Sequence, residues 1–323
     1  MGEDLSFILC MLAMVTLIIT TIISQQNVKK SKSETIKKAE VQTYKKRERR
    51  EVTEESKIKL DRIVRIIKEK TRAVSYSITC EQNNDIGIFE SKFGGLPYWD
   101  LNMEYPLDNK GKKIVLLAQI NFEKESLDDE RLPKKGILQF FISSDIMNGL
   151  EENGYKVIYH ENIDKNIKKE DVEKLNIPTS KTLNDDKEEY FPFKEEYKIT
   201  FNKKEEFLGP AVYNFDDVVK QIIKEEFNED VTENIYDYFS YEEYDYLTEG
   251  LDTTGHKILG YPYFTQTDPR CYRDIKKYEL LLLQIDSDGG IMWGDSGVAN
   301  FFIDNDDLAK KDFSKVFYTW DCC

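Results

Sequence analysis

The stretch "VLLAQI" at residues 115–120 returns as "LLLLQI" at 280–285, and this repetition decides how the chain is organised. Each run is short, apolar and continuous, as expected of a strand that is covered on both faces. In both copies a Gly-x-Pro-Tyr turn comes earlier, and 22 residues separate its proline from the glutamine that follows, Pro97 from Gln119 and Pro262 from Gln284. Equal spacing of two matched blocks indicates an internal duplication.

A third block follows each apolar run in the same order. "GILQFFI" at 136–142 corresponds to "GVANFFI" at 297–303. The blocks predict an α+β fold that is internally duplicated, with two pseudo-symmetric sheet halves and helices packed outside. We expect the halves at 90–147 and 256–312. Residues 150–250 are expected to form an insert between them.

The third block contains Gly-Asp-Ser-Gly at 294–297, the sequence that surrounds the nucleophile of chymotrypsin-like proteases. A serine nucleophile requires a histidine base and an orienting carboxylate. The chain has only two histidines, His160 and His256, and neither lies in a setting typical of such a base. Because Gly297 also matches Gly136 of the first copy, the repeat predicts that Ser296 belongs to a turn before a strand.

The charge is distributed unevenly along the chain. Residues 1–74 hold 17 Lys or Arg and 10 Asp or Glu, which gives them a net charge of +7. The whole chain has a net charge of −15, so the remaining residues carry −22. A body this acidic repels nucleic acid, and we expect no nucleic-acid partner. The five cysteines form no CxxC pair, so we expect neither a metal nor a cofactor, and Cys322-Cys323 is expected to be a surface dithiol.

The N-terminal region predicts a membrane anchor at 1–24. Residues 5–23 carry no charge over 19 positions, about the thickness of a bilayer core, and ten Lys or Arg lie between 29 and 50. The positive-inside rule predicts a single-pass protein of the cell membrane with its body in the cytoplasm. Residues 25–74 form a basic stalk that ends in an amphipathic helix, and 75–323 form the globular domain.

The blocks together resemble the YwqG-like family, a bacterial domain of unknown function. The resemblance rests on "SKFGGLPYW" (91–99), "LPKKGILQFFIS" (132–143), "FPFKEEYKITF" (191–201) and "HKILGYPYFTQTDPR" (256–270), and extends from about residue 76 to the end. It implies a single α+β globule with two related halves. No activity or catalytic residue comes with the resemblance, and the membrane span departs from the family's usual soluble form.

Polar or amphipathic residues within these blocks are the candidates for a binding cleft. A carboxylate, a histidine and an arginine in related turns could bind a polar ligand or exchange protons. Structural roles are the alternative for each of them. The candidates are His160, His256, Asp268, Arg270, Trp293 and Asp295.

Two hypotheses for function remain open. The first is a non-enzymatic binding module held at the inner membrane face, with a basic protein as its partner; neutralisation of a toxin is one instance. The acidic body and the anchor favour it. The second is a hydrolase whose polar cleft gathers His256, Asp268 and Asp295.

Overall fold

The fold is built on one antiparallel sheet. The structure is a computed structural model that describes residues 51–183, 189–271 and 275–323. Ten strands of these residues pair in the order β10-β9-β8-β7-β1-β6-β2-β3-β4-β5. They are β1 (Ala73–Gln82), β2 (Lys92–Phe93), β3 (Val115–Asn121), β4 (Ile137–Ile142), β5 (Tyr155–His160), β6 (Tyr197–Glu206), β7 (Lys257–Leu259), β8 (Leu280–Asp286), β9 (Val298–Ile303) and β10 (Phe317–Asp321).

The described residues also form six α-helices. They are α1 (Glu54–Lys70), α2 (Lys169–Glu173), α3 (Phe215–Phe227), α4 (Ile235–Tyr238), α5 (Tyr241–Thr248) and α6 (Asn305–Ala309). The prediction of an α+β fold built on a sheet is confirmed. None of these helices is both long and apolar enough to cross a membrane. The expected span at 5–23 lies outside the described residues.

The two sides of the sheet pair in equivalent registers. Gln119 of β3 lies opposite Gln139 of β4, and Gln284 of β8 lies opposite Asn300 of β9. Both ladders shift register at the same place, between Leu116 and Ala118 in the first and at the equivalent step of the second. The apolar runs predicted as strands covered on both faces are fully buried in β3 and in β4.

The equivalence extends beyond the ranges expected for the halves. β5 pairs with β4 as β10 pairs with β9, and β1 and β6 pair with each other at the centre of the sheet. Residues 150–250, expected as an insert, therefore supply β5 and β6 to the sheet. The connection between β6 and β7 is long and covers residues 207–256. The equivalent connection in the first half, between β1 and β2, covers only residues 83–91.

The long first strand of each half crosses to the other half. β1 pairs with β6 and β7 and has no ladder with β2, while β6 pairs with β1 and β2. The centre of the exchange is the pair Thr79 and Thr200. Sequence blocks alone did not show this arrangement, because it joins residues that are far apart in the chain.

The sheet curls until its two edges approach, which gives a near-barrel. Phe140 of β4 and Phe301 of β9 meet inside it with ring centroids 5.0 Å apart. At the edges, Tyr155 of β5 contacts the ring of Tyr318 of β10 at 5.2 Å and donates its hydroxyl to the carbonyl of Val316. The main core of the protein is the interior of this near-barrel.

A second core joins four of the helices, α1, α3, α4 and α5. Thr53 caps the start of α1 because its hydroxyl accepts the N–H of Ser56, and the helix buries Leu60, Ile63, Ile66 and Ile67. These side chains pack with Val219, Ile222 and Ile223 of α3 and with Leu247 of α5. The helical periodicity in the sequence predicts α1 and α3, and both are present. The helices form a layer beside β6 and β7, to which Tyr261 ties α1 through the carbonyl of Thr71.

We predict that Phe301→Ala lowers the free energy of unfolding by about 3–5 kcal/mol, because its ring is fully buried against Phe140 and would leave a cavity. Ser296→Ala is the control. Ser296 is exposed in a turn, so its loss should cost less than about 0.5 kcal/mol. Urea denaturation of both variants measures the two values. Equal stability of the two variants would contradict the packing described here.

Candidate functional site

A buried glutamine fixes the Gly-x-Pro-Tyr turn to the sheet in each half. In the first half Gln119 accepts the backbone N–H of Tyr98 at 2.9 Å. Its amide nitrogen donates to the carbonyls of Ile88 and Glu90, both at 2.8 Å. The side chain is fully buried. One amide thus satisfies three backbone groups that would otherwise be buried without partners.

The second half repeats this arrangement atom for atom. Gln284 accepts the N–H of Tyr263 at 2.7 Å and donates to the carbonyls of Thr253 and Gly255 at 3.0 and 2.8 Å. A second amide then holds the carbonyl of the same tyrosine. Gln139 donates to Tyr98 at 2.6 Å, and Asn300 donates to Tyr263 at 2.8 Å. The two halves therefore allow each candidate residue to be compared with its own counterpart.

His256 has a structural counterpart in Ser91. The Nδ1 of His256 accepts the backbone N–H of Asp286 at 3.0 Å. In the first half the hydroxyl of Ser91 accepts the N–H of Asn121 at 3.0 Å, at the equivalent end of β3. Burial lowers the pKa of His256, so its ring is neutral and Nδ1 can accept this bond. His256 therefore provides the hydrogen-bond acceptor at the end of β8, as Ser91 does at the end of β3.

Arg270 has a counterpart in Tyr105. Its guanidinium lies 4.6 Å from the ring of Phe302 and approaches the carbonyl of Glu279 at 3.5 Å. Tyr105 packs on Phe141 at 5.8 Å and donates to the carbonyl of Ile114 at 3.0 Å. Both residues therefore cover the outer face of their half and bond the chain just before its inner strand.

Asp268 neutralises the buried charge of Arg270. The carboxylate and the guanidinium are both buried, and Arg270 donates to it through Nε at 3.0 and 3.1 Å and through Nη2 at 2.7 Å. Asp268 also accepts the backbone N–H of Tyr213 at 3.1 Å. The pair thus fastens the segment before α3 to the sheet. Its geometry is that of a satisfied buried ion pair.

His160 lies on the outer face of the first half. Its Nε2 contacts the side-chain oxygen of Gln139 at 2.9 Å, and its ring meets Tyr98 and Trp99 edge-on. Burial lowers its pKa to about 4. At the equivalent place β10 carries Asp321, which accepts the N–H groups of Thr265 and Gln266 instead. A histidine and a carboxylate at one position both serve to anchor the turn.

The loop before β9 holds the remaining candidates. Trp293 is fully buried in the main core, and its indole N–H has no partner among the described residues. Asp295 and Ser296 are exposed, and Ser296 has φ +58°, as in a left-handed turn. The next residue, Gly297, must be a glycine because a Cβ at that position would lie 1.9 Å from the carbonyl oxygen of Asp321. The prediction that Ser296 lies in a turn before a strand is confirmed.

The structure does not gather the candidates into one cleft. Within 51–183, 189–271 and 275–323, no hydrogen bond, ion pair or ring contact joins His256, Asp268 and Asp295. Asp268 and Arg270 are the only two candidates in direct contact within that part of the chain. No group of three or more His, Cys, Asp or Glu residues there could hold a metal ion.

Two buried lysines were missed by the sequence analysis. Lys92 and Lys257 lie opposite Gln119 and Gln284, at equivalent places of the two halves. Lys92 donates to the backbone carbonyls of Gly87 and Leu96, whereas Lys257 donates to both oxygens of Glu206 at 3.0 Å. Burial lowers the pKa of each to about 8. A charged residue in a short strand gives no sequence signal of burial.

A shallow acidic groove, open to solvent, lies on the helical layer. It has a volume of about 560 Å³, and its four carboxylates are Glu242, Asp245, Glu249 and Asp252. A sequence signal exists for it, because residues 225–256 contain eleven Asp or Glu and no Lys or Arg. A second, smaller pocket of about 240 Å³ is lined by Phe122, Leu127, Asp128 and Lys134 among others.

We predict that His160 makes the protein less stable in mild acid. The unfolded chain binds a proton near pH 6.5, whereas the folded His160 stays neutral until about pH 4. The free energy of unfolding therefore falls as the pH decreases from 6.5 to 4, by up to about 3 kcal/mol from this group. His160→Gln should flatten the curve of stability against pH in that window. An unchanged curve in urea denaturation would contradict the burial of His160.

Comparison with known proteins identifies a family without an assigned activity. No curated protein matches the sequence. The model of a domain of unknown function, DUF1963, matches residues 91–322, which is well over half of the chain. The matched range contains both glutamines, both tyrosine turns and all six candidate residues. The chain belongs to the DUF1963 family.

Proposed function

We propose that the protein is a non-enzymatic binding module that takes a basic protein segment into its acidic groove. The observation that carries this proposal is the groove itself, with four carboxylates around about 560 Å³ of space. Opposite charge steers a basic partner to such a surface and sets its orientation. A cationic toxin that the module neutralises is one instance of this partner.

The pattern of ion pairs supports the choice of surface. Acidic residues at the end of α3 and just after it form ion pairs with α1, such as Arg62 with Glu226 and Lys59 with Glu229, both at 2.7 Å. No ion pair within 4 Å involves Asp245, Glu249 or Asp252 in the described part of the chain. These three carboxylates form no close ion pair with a described residue, although Lys68 lies beside Gly250 at the edge of the groove and Lys204 and Lys257 help to lower the pKa of Asp252.

The position of the groove also supports a functional role. It lies in 207–256, the segment that replaces the short connection 83–91 of the first half. The sheet does not need this segment, because the first half builds the equivalent strands without it. An addition of this size that bears a strongly charged surface is a natural place for binding.

The hydrolase hypothesis gains no support from the geometry. His256 and Arg270 make contacts that Ser91 and Tyr105 make at the equivalent places of the first half, and Asp268 is held in an ion pair with Arg270.

Two further features of the proposal come from the sequence. The resemblance of the blocks favours membership of the YwqG-like group, and residues 5–23 with the basic flank at 29–50 favour a single-pass anchor with the body in the cytoplasm. A membrane-held binder would meet its partner at the inner face of the membrane.

We predict that Asp245→Asn with Glu249→Gln weakens binding of an oligolysine peptide by about tenfold. Two exposed ion pairs account for about 1–2 kcal/mol at low salt, and the loss should shrink as salt is added. Isothermal titration calorimetry measures both affinities.

The matched control is Glu151→Gln with Glu152→Gln. Both residues are exposed, lie in the loop between β4 and β5, and change the net charge by the same amount. It should bind the peptide as the unmodified protein does. Equal weakening in the groove variant and the control would show general attraction to an acidic protein and would defeat the proposal.

We predict that protease added to intact spheroplasts leaves the body, 75–323, uncut. The body should be protected because, with residues 5–23 spanning the membrane, it lies on the cytoplasmic side. Lysis of the spheroplasts before digestion is the control, since it should expose the same body. Cleavage of the body before lysis would reverse the proposed topology.

A further inference from the structure

β1 and β6, the first strands of the two halves, each pair with strands of the other half. β1 forms ladders only with β6 and β7, and therefore contributes its backbone hydrogen bonds to the second half. β6 correspondingly pairs with β1 and β2. Neither half has a complete sheet without a strand from the other.

The central ladder has the symmetry of an isologous interface. Its ten pairs run from Ala73 opposite Glu206 to Gln82 opposite Tyr197, and Thr79 lies opposite Thr200. Tyr76 occupies the place in β1 that Tyr197 occupies in β6, and each is three residues before its threonine. A rotation about the threonine pair therefore exchanges the two strands, as in a two-fold dimer.

Contacts away from the ladder follow the same exchange. The N–H of Ile78 donates to the carbonyl of His256 at 2.8 Å, and the N–H of Ile199 donates to the carbonyl of Ser91 at 3.4 Å. Inside the near-barrel, Phe140 of one half meets Phe301 of the other. Each contact joins residues from different halves.

We propose that two copies of this chain form a dimer by exchanging halves, so that β1 of one copy pairs with β6 and β7 of its partner. A second copy carries the same two halves, and each contact between halves can form between copies with unchanged geometry. The exchanged dimer makes every such contact twice. Ile167, Val172 and Ile177 pack with the first half and stay with it. Only the chain that joins this half to β6 takes a different course, so the balance between forms depends on protein concentration.

Two full-length variants with different affinity tags test the proposal when they are co-expressed. One carries Thr79→Cys, the other Thr200→Cys, and both lack the five native cysteines. Both threonines are exposed, so neither change disturbs the core. A dithiol reagent that spans roughly the 5 Å of a cross-strand pair can join them only where β1 of one copy pairs with β6 of the other. We expect a cross-linked species that carries both tags and increases with expression level.

Two controls make the result decisive. A single chain with both cysteines should cross-link within itself, which shows that the reagent fits the pair. Thr79→Cys co-expressed with Lys204→Cys, four residues or about 13 Å further along β6, should give no doubly tagged product. If the single chain cross-links but the Thr79 and Thr200 pair gives no more doubly tagged product than the Lys204 control, the exchange of halves between copies does not occur.

Discussion

The fold depends on how one buried amide satisfies the backbone beside each inner strand. β3 and β8 are apolar and covered on both faces, so the loops that cover them bring their own N–H and C=O groups out of water. Gln119 and Gln284 each provide one acceptor and two donors to these groups. The turn, the short strand before it and the tyrosine after it are therefore held in one position. The neighbouring strand adds the second amide to the same tyrosine.

This constraint explains the hydrogen bonds that the most distinctive polar residues of the sequence make. The end of each inner strand needs one acceptor, and either the imidazole of His256 or the hydroxyl of Ser91 provides it. The outer face needs a flat group that can also reach a carbonyl, and Arg270 or Tyr105 meets that need. Arg270 is charged, so it also requires Asp268 beside it. We propose that the function lies in the part that the duplication does not build, the acidic helical layer.

The duplication and the main elements were open to prediction because they depend on local patterns. The matched glutamines, the equal spacing to the prolines and the helical periodicity of α1 and α3 are all visible in the chain. The exchange of β1 and β6 was not, because "AVSYSITCEQ" and "YKITFNKKEE" share little beyond the Tyr-x-Ile-Thr pattern of 76–79 and 197–200, and long-range pairing leaves no local trace. The candidate residues were found individually, but their separation in space required the topology. The burial of Lys92 and Lys257 likewise follows from their neighbours and not from their residue type.

The account rests on one interaction that is made twice, and comparison of Gln119→Leu with Gln284→Leu tests it most directly. Leucine keeps the approximate volume of each side chain and removes its hydrogen bonds, so each variant leaves an N–H and two carbonyls buried without partners. We expect each to lose about 3–5 kcal/mol in urea denaturation, with the two values within about 1 kcal/mol of each other. A variant in either half that unfolds at the same urea concentration as the unmodified protein would contradict the account.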